Sequence, residues 1–191
     1  MEPLHILIVD DDEYTMADYR DALEEGGCTV TSATSLQEAG DILVESMVGG
    51  SAKIEFVLID LMLGSRRMPT LVLNGNLINL NDYYKGLTSQ KNNEGQALGQ
   101  WLWQTKTESN NFSVPNYCYF TTVAGHHQRH TKDELQEFAM PGEPGKYDKS
   151  NISKFVLAKP SIMPHQLREK IQDILQLWKD LKFDNKAQEK L

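Results

Sequence analysis

Apolar residues along this chain follow two alternating rhythms. Five short continuous runs, Ile6–Val9, Thr29–Ser32 (the weakest), Phe56–Ile59, Tyr117–Phe120 and Phe155–Ala158, have the length and composition of strands. Between them apolar positions recur at helical spacing. Residues 13–25 place Met16, Tyr19 and Leu23 on one face and stop at Gly26-Gly27, a helix C-terminal signal. Ser35 to Glu38 reads as a capping box, followed by Ala39, Ile42, Leu43 and Met47. Residues 95–107 carry Leu98, Trp101, Leu102 and Thr105. Thr131 to Glu134 is a second capping box, leading into Leu135, Phe138 and Ala139. The last helix opens near Pro164, a favoured first-turn residue, and carries Leu167, Ile171, Ile174, Leu175, Trp178 and Leu181.

The order is therefore strand-helix, five times over. Continuous apolar strands alternating with helices predict a parallel sheet covered on both faces. Right-handed crossovers make it a doubly wound, five-stranded α/β sheet, most simply in flavodoxin-like order 2-1-3-4-5. A single domain over residues 1–183 is expected, with a polar tail over 184–191. Two connections are long. Residues 61–94 separate Asp60 from the next helix, where such loops usually have about 2–6 residues. Within the insertion, 65–94, Asn74-Gly75 stands between apolar runs, the strongest short hairpin signal, so a small inserted β-hairpin is predicted. Its apolar residues, Leu71, Val72, Leu73, Leu77, Ile78 and Leu80, are too many for a solvated loop. Residues 141–151, rich in Gly and Pro, read as an irregular loop.

Composition narrows the class. A net charge of −8 disfavours non-specific contact with nucleic acid or anionic membrane. Two cysteines imply no disulfide framework and suit a reducing compartment. There is no basic leader and no apolar run long enough to span a bilayer, so a cytoplasmic protein is expected.

The chemistry lies where the strands end. The first runs into Asp10, Asp11 and Asp12, the third ends at Asp60, the fourth at Thr121-Thr122, the fifth at Lys159-Pro160. Ligands in such sheets bind beyond the carboxyl ends of the strands, at the switch in strand order, here between strands one and three. Carboxylates crowded in that crevice repel and are costly to desolvate, unless a divalent cation sits among them. Hard oxygen ligands suit Mg²⁺, which readily shares a site with phosphate. Lys159 would help to neutralise an incoming phosphoryl group, and a carboxylate attacking phosphorus gives an aspartyl phosphate. Asp12 alone is explained by a helix N-terminus. His126, His127 and His130 sit just before the Thr131 cap and read as a solvated basic loop ahead of a zinc site. Trp101, Trp103 and Trp178 read as helix packing.

At these residues the chain resembles a response-regulator receiver domain of two-component signalling. "ILIVDDD" is similar to the family's acidic first strand, "FVLIDLML" to its phosphoacceptor strand, "FTT" to its hydroxyl-bearing strand end and "LAKP" to its Lys-Pro. The four motifs in order carry the resemblance, which covers the chain apart from the two long connections. It implies that Asp60 is the phosphoacceptor and that Asp10, Asp11 and Asp60 hold Mg²⁺ with the backbone carbonyl of Met62. It implies that Thr121, favoured over Thr122 because a small residue normally follows, binds the phosphoryl group, and that Lys159 pairs with the acyl phosphate. The implied donor is a phosphohistidine on a sensor histidine kinase or phosphotransfer protein, and output is through contacts with a downstream protein. A homodimer is compatible with this, and no enzymatic turnover beyond self-phosphotransfer is implied. The pattern also departs from the family. Gly64 stands where proline is common, and Val156 stands where a switch aromatic is usual, with Phe155 one place off. Met62 and Val123, at the positions best placed to orient a hydrolytic water, are apolar, which implies a long-lived phosphoryl group. A pseudo-receiver, acting as an adaptor through its insertion without phosphoryl chemistry, is the rival reading. An aspartyl-phosphate phosphohydrolase is disfavoured, because such enzymes place a second Asp where this chain has Met62.

Overall fold

Strand β1 (His5–Val9) is entirely apolar from Ile6 onward and lies inside the sheet, buried on both faces. Helix α1 (Glu13–Glu25) follows, capped by the Asp12 side chain, which accepts from the Thr15 N–H. Its end is a Schellman turn: Gly27 N–H donates to Glu24 O and Cys28 N–H to Leu23 O. Strand β2 (Thr29–Ala33) leads to α2 (Leu36–Met47). Ser35 caps α2 by accepting from Glu38 N–H, and the Glu38 carboxylate reaches back to Thr34 N–H. Strand β3 (Phe56–Ile59) is buried throughout. Then come the short strands β4 (Thr70–Leu73) and β5 (Asn76–Asn79), α3 (Leu80–Tyr84), α4 (Glu94–Glu108), β6 (Asn116–Thr121), β7 (Val156–Ala158) and α5 (Pro164–Asp180). The computed structural model describes residues 3–50, 53–64, 68–84, 94–108, 113–122 and 154–180. The capping-box helix expected from Thr131, the loop 141–151, the histidines at 126, 127 and 130, Val123 and the tail 184–191 lie outside the described residues.

The main sheet is parallel, in order β2-β1-β3-β6-β7, as the strand-helix alternation predicts. The fifth strand differs at its start. Phe155 is helical rather than extended, and its ring packs edge-on against Trp178, 5.8 Å between centroids. The pairing with β6 starts one residue later, at Val156, and Phe155 turns its ring onto α5 instead. Trp101 and Trp178 are buried and Trp103 packs on Trp178, so the tryptophans serve helix packing.

The expected hairpin is present as a separate two-stranded antiparallel sheet, β4-β5. Its turn residues Asn74 (φ 49°) and Gly75 (φ 79°) are both left-handed, the type I′ geometry whose twist matches a hairpin. Alternation along β4 buries Leu71 and Leu73 and exposes Thr70 and Val72. Leu71 seats on α2 at Gly40, where any Cβ would overlap the Leu71 side chain. The short helix α3 was not legible in the sequence; it follows β5 without a break and packs on α4. No helix among the described residues is long and apolar enough to cross a membrane.

Candidate functional site

Sheet register assembles the site. Val9 pairs with Ile59, so Asp10 and Asp60 leave adjacent strands at the same level. Asp60 N–H donates to Val9 O (2.9 Å) and Asp10 N–H to Ala33 O (3.0 Å), which fixes both backbones before the chain turns outward. Thr121 ends β6 in register with Ala158, one residue before Lys159. Asp10 (5% exposed), Asp60 (6%) and Lys159 (5%) are buried, and Asp11 is exposed at the rim.

The Lys159 ammonium lies between the two buried carboxylates. Its Nζ donates to Asp10 Oδ2 and stands 3.2 Å from Asp60 Oδ1. The second contact is an ion pair by distance but is out of line for a hydrogen bond, and Asp60 Oδ1 has no hydrogen-bond partner. The other oxygens are held from the backbone: Asp10 Oδ1 accepts from Asp12 N–H (2.9 Å) and Asp60 Oδ2 from Met62 N–H (3.2 Å). Ligand oxygens of Asp10, Asp11 and Asp60 all lie within 4.8 Å of one another. Three carboxylates against one ammonium leave an excess of two negative charges when all are ionised. The strain shows at Asp10, whose pKa is raised above the ordinary carboxylate value chiefly by burial, with Asp60 adding to the rise and Lys159 opposing it. Hard oxygens, a matching charge excess and an Asp60 oxygen without a hydrogen bond fit a small divalent cation such as Mg²⁺.

Other residues position this group. The Tyr19 hydroxyl lies 2.8 Å from both the Lys159 and the Ile162 carbonyl oxygens, tying the turn after β7 to α1. The Phe120 ring lies 5.8 Å from the Lys159 ammonium. Tyr19 registers in the sequence only as a helix-face residue; the signal that could have found it is that a buried phenol needs a polar partner. The first turn of α4 abuts the end of β3. Gly95 N–H donates to Leu61 O (3.2 Å), and a Cβ at Gly95 would overlap the Asp60 carbonyl oxygen. The insertion is thus closed off by a glycine that returns the chain to the site. Gly64, where proline is common in receivers, has φ +32°, which the proline ring forbids, and any Cβ there would come within 2.8 Å of Asp11 Oδ2.

Thr121 is fully buried and Thr122 is exposed. Met62 is partly exposed and its backbone N–H faces Asp60. Val156 is buried, and Phe155, the aromatic next to it, is committed to Trp178 and not to the strand-end cluster. A cleft of about 390 Å³ between α1 and β2 reaches the Asp10 side chain and is lined also by Met16, Arg20, Ser32 and Thr34.

No protein-family model matches the sequence, and no curated protein matches it. Solved structures do. The signal receiver domain of a repressor protein from Vibrio parahaemolyticus aligns over 93% of this chain and 93% of its own, at 13% identity and a TM-score of 0.51. A response regulator from Thermotoga maritima aligns over 92% and 99%, at 17% identity and a TM-score of 0.46. The first of these likenesses establishes the fold, which is that of a receiver domain with an added two-stranded sheet.

Proposed function

We propose that this receiver-fold chain is a phosphoacceptor switch, with Asp60 as the residue that takes the phosphoryl group. The observation that carries the reading is the meeting of Asp10, Asp11 and Asp60 within 4.8 Å, with the Lys159 ammonium between the buried pair. A plain helix N-terminus accounts for Asp12 but not for carboxylates from two strands converging on a buried lysine.

Asp10, Asp11 and Asp60 would hold Mg²⁺, with the Met62 backbone carbonyl as a further oxygen ligand. When bound, the cation supplies charge neutralisation for the phosphoryl oxygens. The chain's own residues do the rest. Asp60 Oδ1, free of hydrogen bonds, presents a lone pair to phosphorus. Attack forms the Asp60 O–P bond as the P–N bond of a phosphohistidine breaks, and the imidazole nitrogen leaves with the bonding electrons. Lys159 then pairs with a phosphoryl oxygen instead of the Asp60 carboxylate, and the Thr121 hydroxyl donates to another. The Met62 side chain offers no hydrogen bond to a hydrolytic water, which favours a long-lived phosphoryl group. The donor class is a sensor histidine kinase or a phosphotransfer protein, the setting is the cytoplasm, and the output is a protein contact. The chain modifies itself and turns over no second substrate.

Intact mass before and after incubation with acetyl phosphate tests the reading. Wild type gains one phosphoryl group only when Mg²⁺ is present, and Asp60→Asn gains none. An unlabelled wild type that is folded and binds Mg²⁺ would return the chain to the adaptor reading.

A further inference from the structure

Among the described residues the inserted hairpin carries an unpaired strand edge. In a two-residue hairpin closed by the pair Leu73–Asn76, the bonded pairs recur every second residue, so Leu71–Ile78 exchanges its bonds inside the hairpin. The Leu80 N–H to Pro69 O bond (3.0 Å) continues that pattern. The N–H and C=O groups of Leu77 and Asn79 therefore point away from β4, and among the described residues no strand pairs with that side of β5. Soluble proteins usually blunt such an edge with lysine, proline or a bulge. This edge has none of them. Residues 70–81, TLVLNGNLINLN, contain no charge, in a chain of net charge −8. The outward face carries exposed carbon as well: Val72 and Leu77, directly opposite each other, are 55% and 76% exposed, flanked by the pair Thr70–Asn79.

We infer that β5 is an association edge, and that its occupant is a second copy of this chain. Two observations select that occupant. A two-fold axis perpendicular to the hairpin sheet pairs β5 antiparallel with β5 of the other copy, and the register that sets Leu77 opposite Leu77 uses the free Leu77 groups reciprocally, N–H to C=O in both directions. The same register aligns Val72, Leu77, Leu77 and Val72 in one apolar row across four strands, so each exposed Leu77 packs side by side with its equivalent. The charge pattern agrees. Two strongly acidic copies meet at the stretch that carries no charge, where like-charge repulsion is least. β4 is the hairpin strand that packs on α2, through Leu71, which leaves β5 on the side away from that helix. The contact is small, so the dimer is concentration-dependent.

Sedimentation equilibrium of the full chain over a wide concentration range tests this. Wild type should show a monomer–dimer equilibrium. Leu77→Lys places two ammonium groups face to face and should weaken the dimer by at least about tenfold, while Leu77→Glu does the same with carboxylates. Because Leu77 is exposed, both variants should keep the wild-type melting temperature at concentrations where wild type is monomeric. An equimolar mixture of the two should dimerise again, because Lys then faces Glu in the row. A wild type that stays monomeric at the highest concentration overturns the inference. So does a dimer indifferent to both substitutions, or a mixture that fails to restore association.

Discussion

At the carboxyl ends of β1, β3 and β7 the chain buries Asp10, Asp60 and Lys159 among apolar neighbours; in the hairpin it does the reverse and leaves Val72 and Leu77 in water. Each arrangement is unfavourable taken by itself. The buried cluster has more negative than positive charge, and Asp10 resists ionisation chiefly because it is buried, with Asp60 adding to the effect. The hairpin exposes carbon and strand edge that the other described residues do not cover. The two regions are joined directly, since the insertion begins just after Asp60 and Gly95 brings the chain back against the Asp60 carbonyl. Local rules broken in adjacent places, in opposite senses, suit the two partners proposed above: a cation with a phosphoryl group for one, a second copy of the chain for the other.

The comparison is broken most severely at Lys159. Lys159→Met leaves two buried carboxylates facing each other, and the metal-free fold should lose about 3 kcal/mol, read from urea unfolding at neutral pH. Mg²⁺ should recover much of that loss. A variant as stable as wild type without Mg²⁺ would show that the ammonium does not hold the cluster together.

In the hairpin the two faces should differ. Leu71→Ala empties the seat over Gly40 and should cost about 2–3 kcal/mol, because Leu71 is only 1% exposed. Leu77→Ala, on the outward face, should change monomer stability by less than about 0.5 kcal/mol. Equal losses at both positions would contradict the assignment of inner and outer faces.

A gentler test concerns Asp10. Burial raises its pKa in the folded state, so protonation favours folding. The stabilisation from that proton is complete below the unfolded value of 3.8 and is lost as pH rises through the higher folded value. At neutral pH the ionised Asp10 therefore opposes folding, and Asp10→Asn should raise the metal-free melting temperature while shrinking the increase that Mg²⁺ produces in wild type. Asp11→Ala, which removes an exposed ligand, should shrink the Mg²⁺ effect with little change in its absence. If the Mg²⁺-dependent shift survives both substitutions, the three carboxylates do not share one ion.

The sheet was legible because strands such as Ile6–Val9 and Phe56–Ile59 are buried on both faces, which forces continuous apolar runs that no helix of that length would show. Asn74-Gly75 announced the hairpin for an equally local reason, since few other pairs take two left-handed residues in succession. Strand order follows from topology, so the meeting of Asp10, Asp11 and Asp60 could be expected from where each strand stops. Contacts between distant elements were not legible. Nothing near Tyr19 in sequence marks its bond to the turn after Lys159, and nothing near Gly40 announces Leu71. Phe155 was misread as a strand residue because an apolar residue before Val156 looks the same whether it extends the strand or packs on Trp178.

The central claim is that the phosphoryl group is carried by Asp60 and by no other acid of the cluster. Borohydride reduces an aspartyl phosphate to homoserine, which leaves a permanent mark at the modified position. After incubation with acetyl phosphate and Mg²⁺, reduction and peptide mapping should find homoserine at position 60 alone, with the mark lost in Asp60→Asn and when Mg²⁺ is chelated. Homoserine at position 10 or 11, or labelling that persists in Asp60→Asn, would contradict the account.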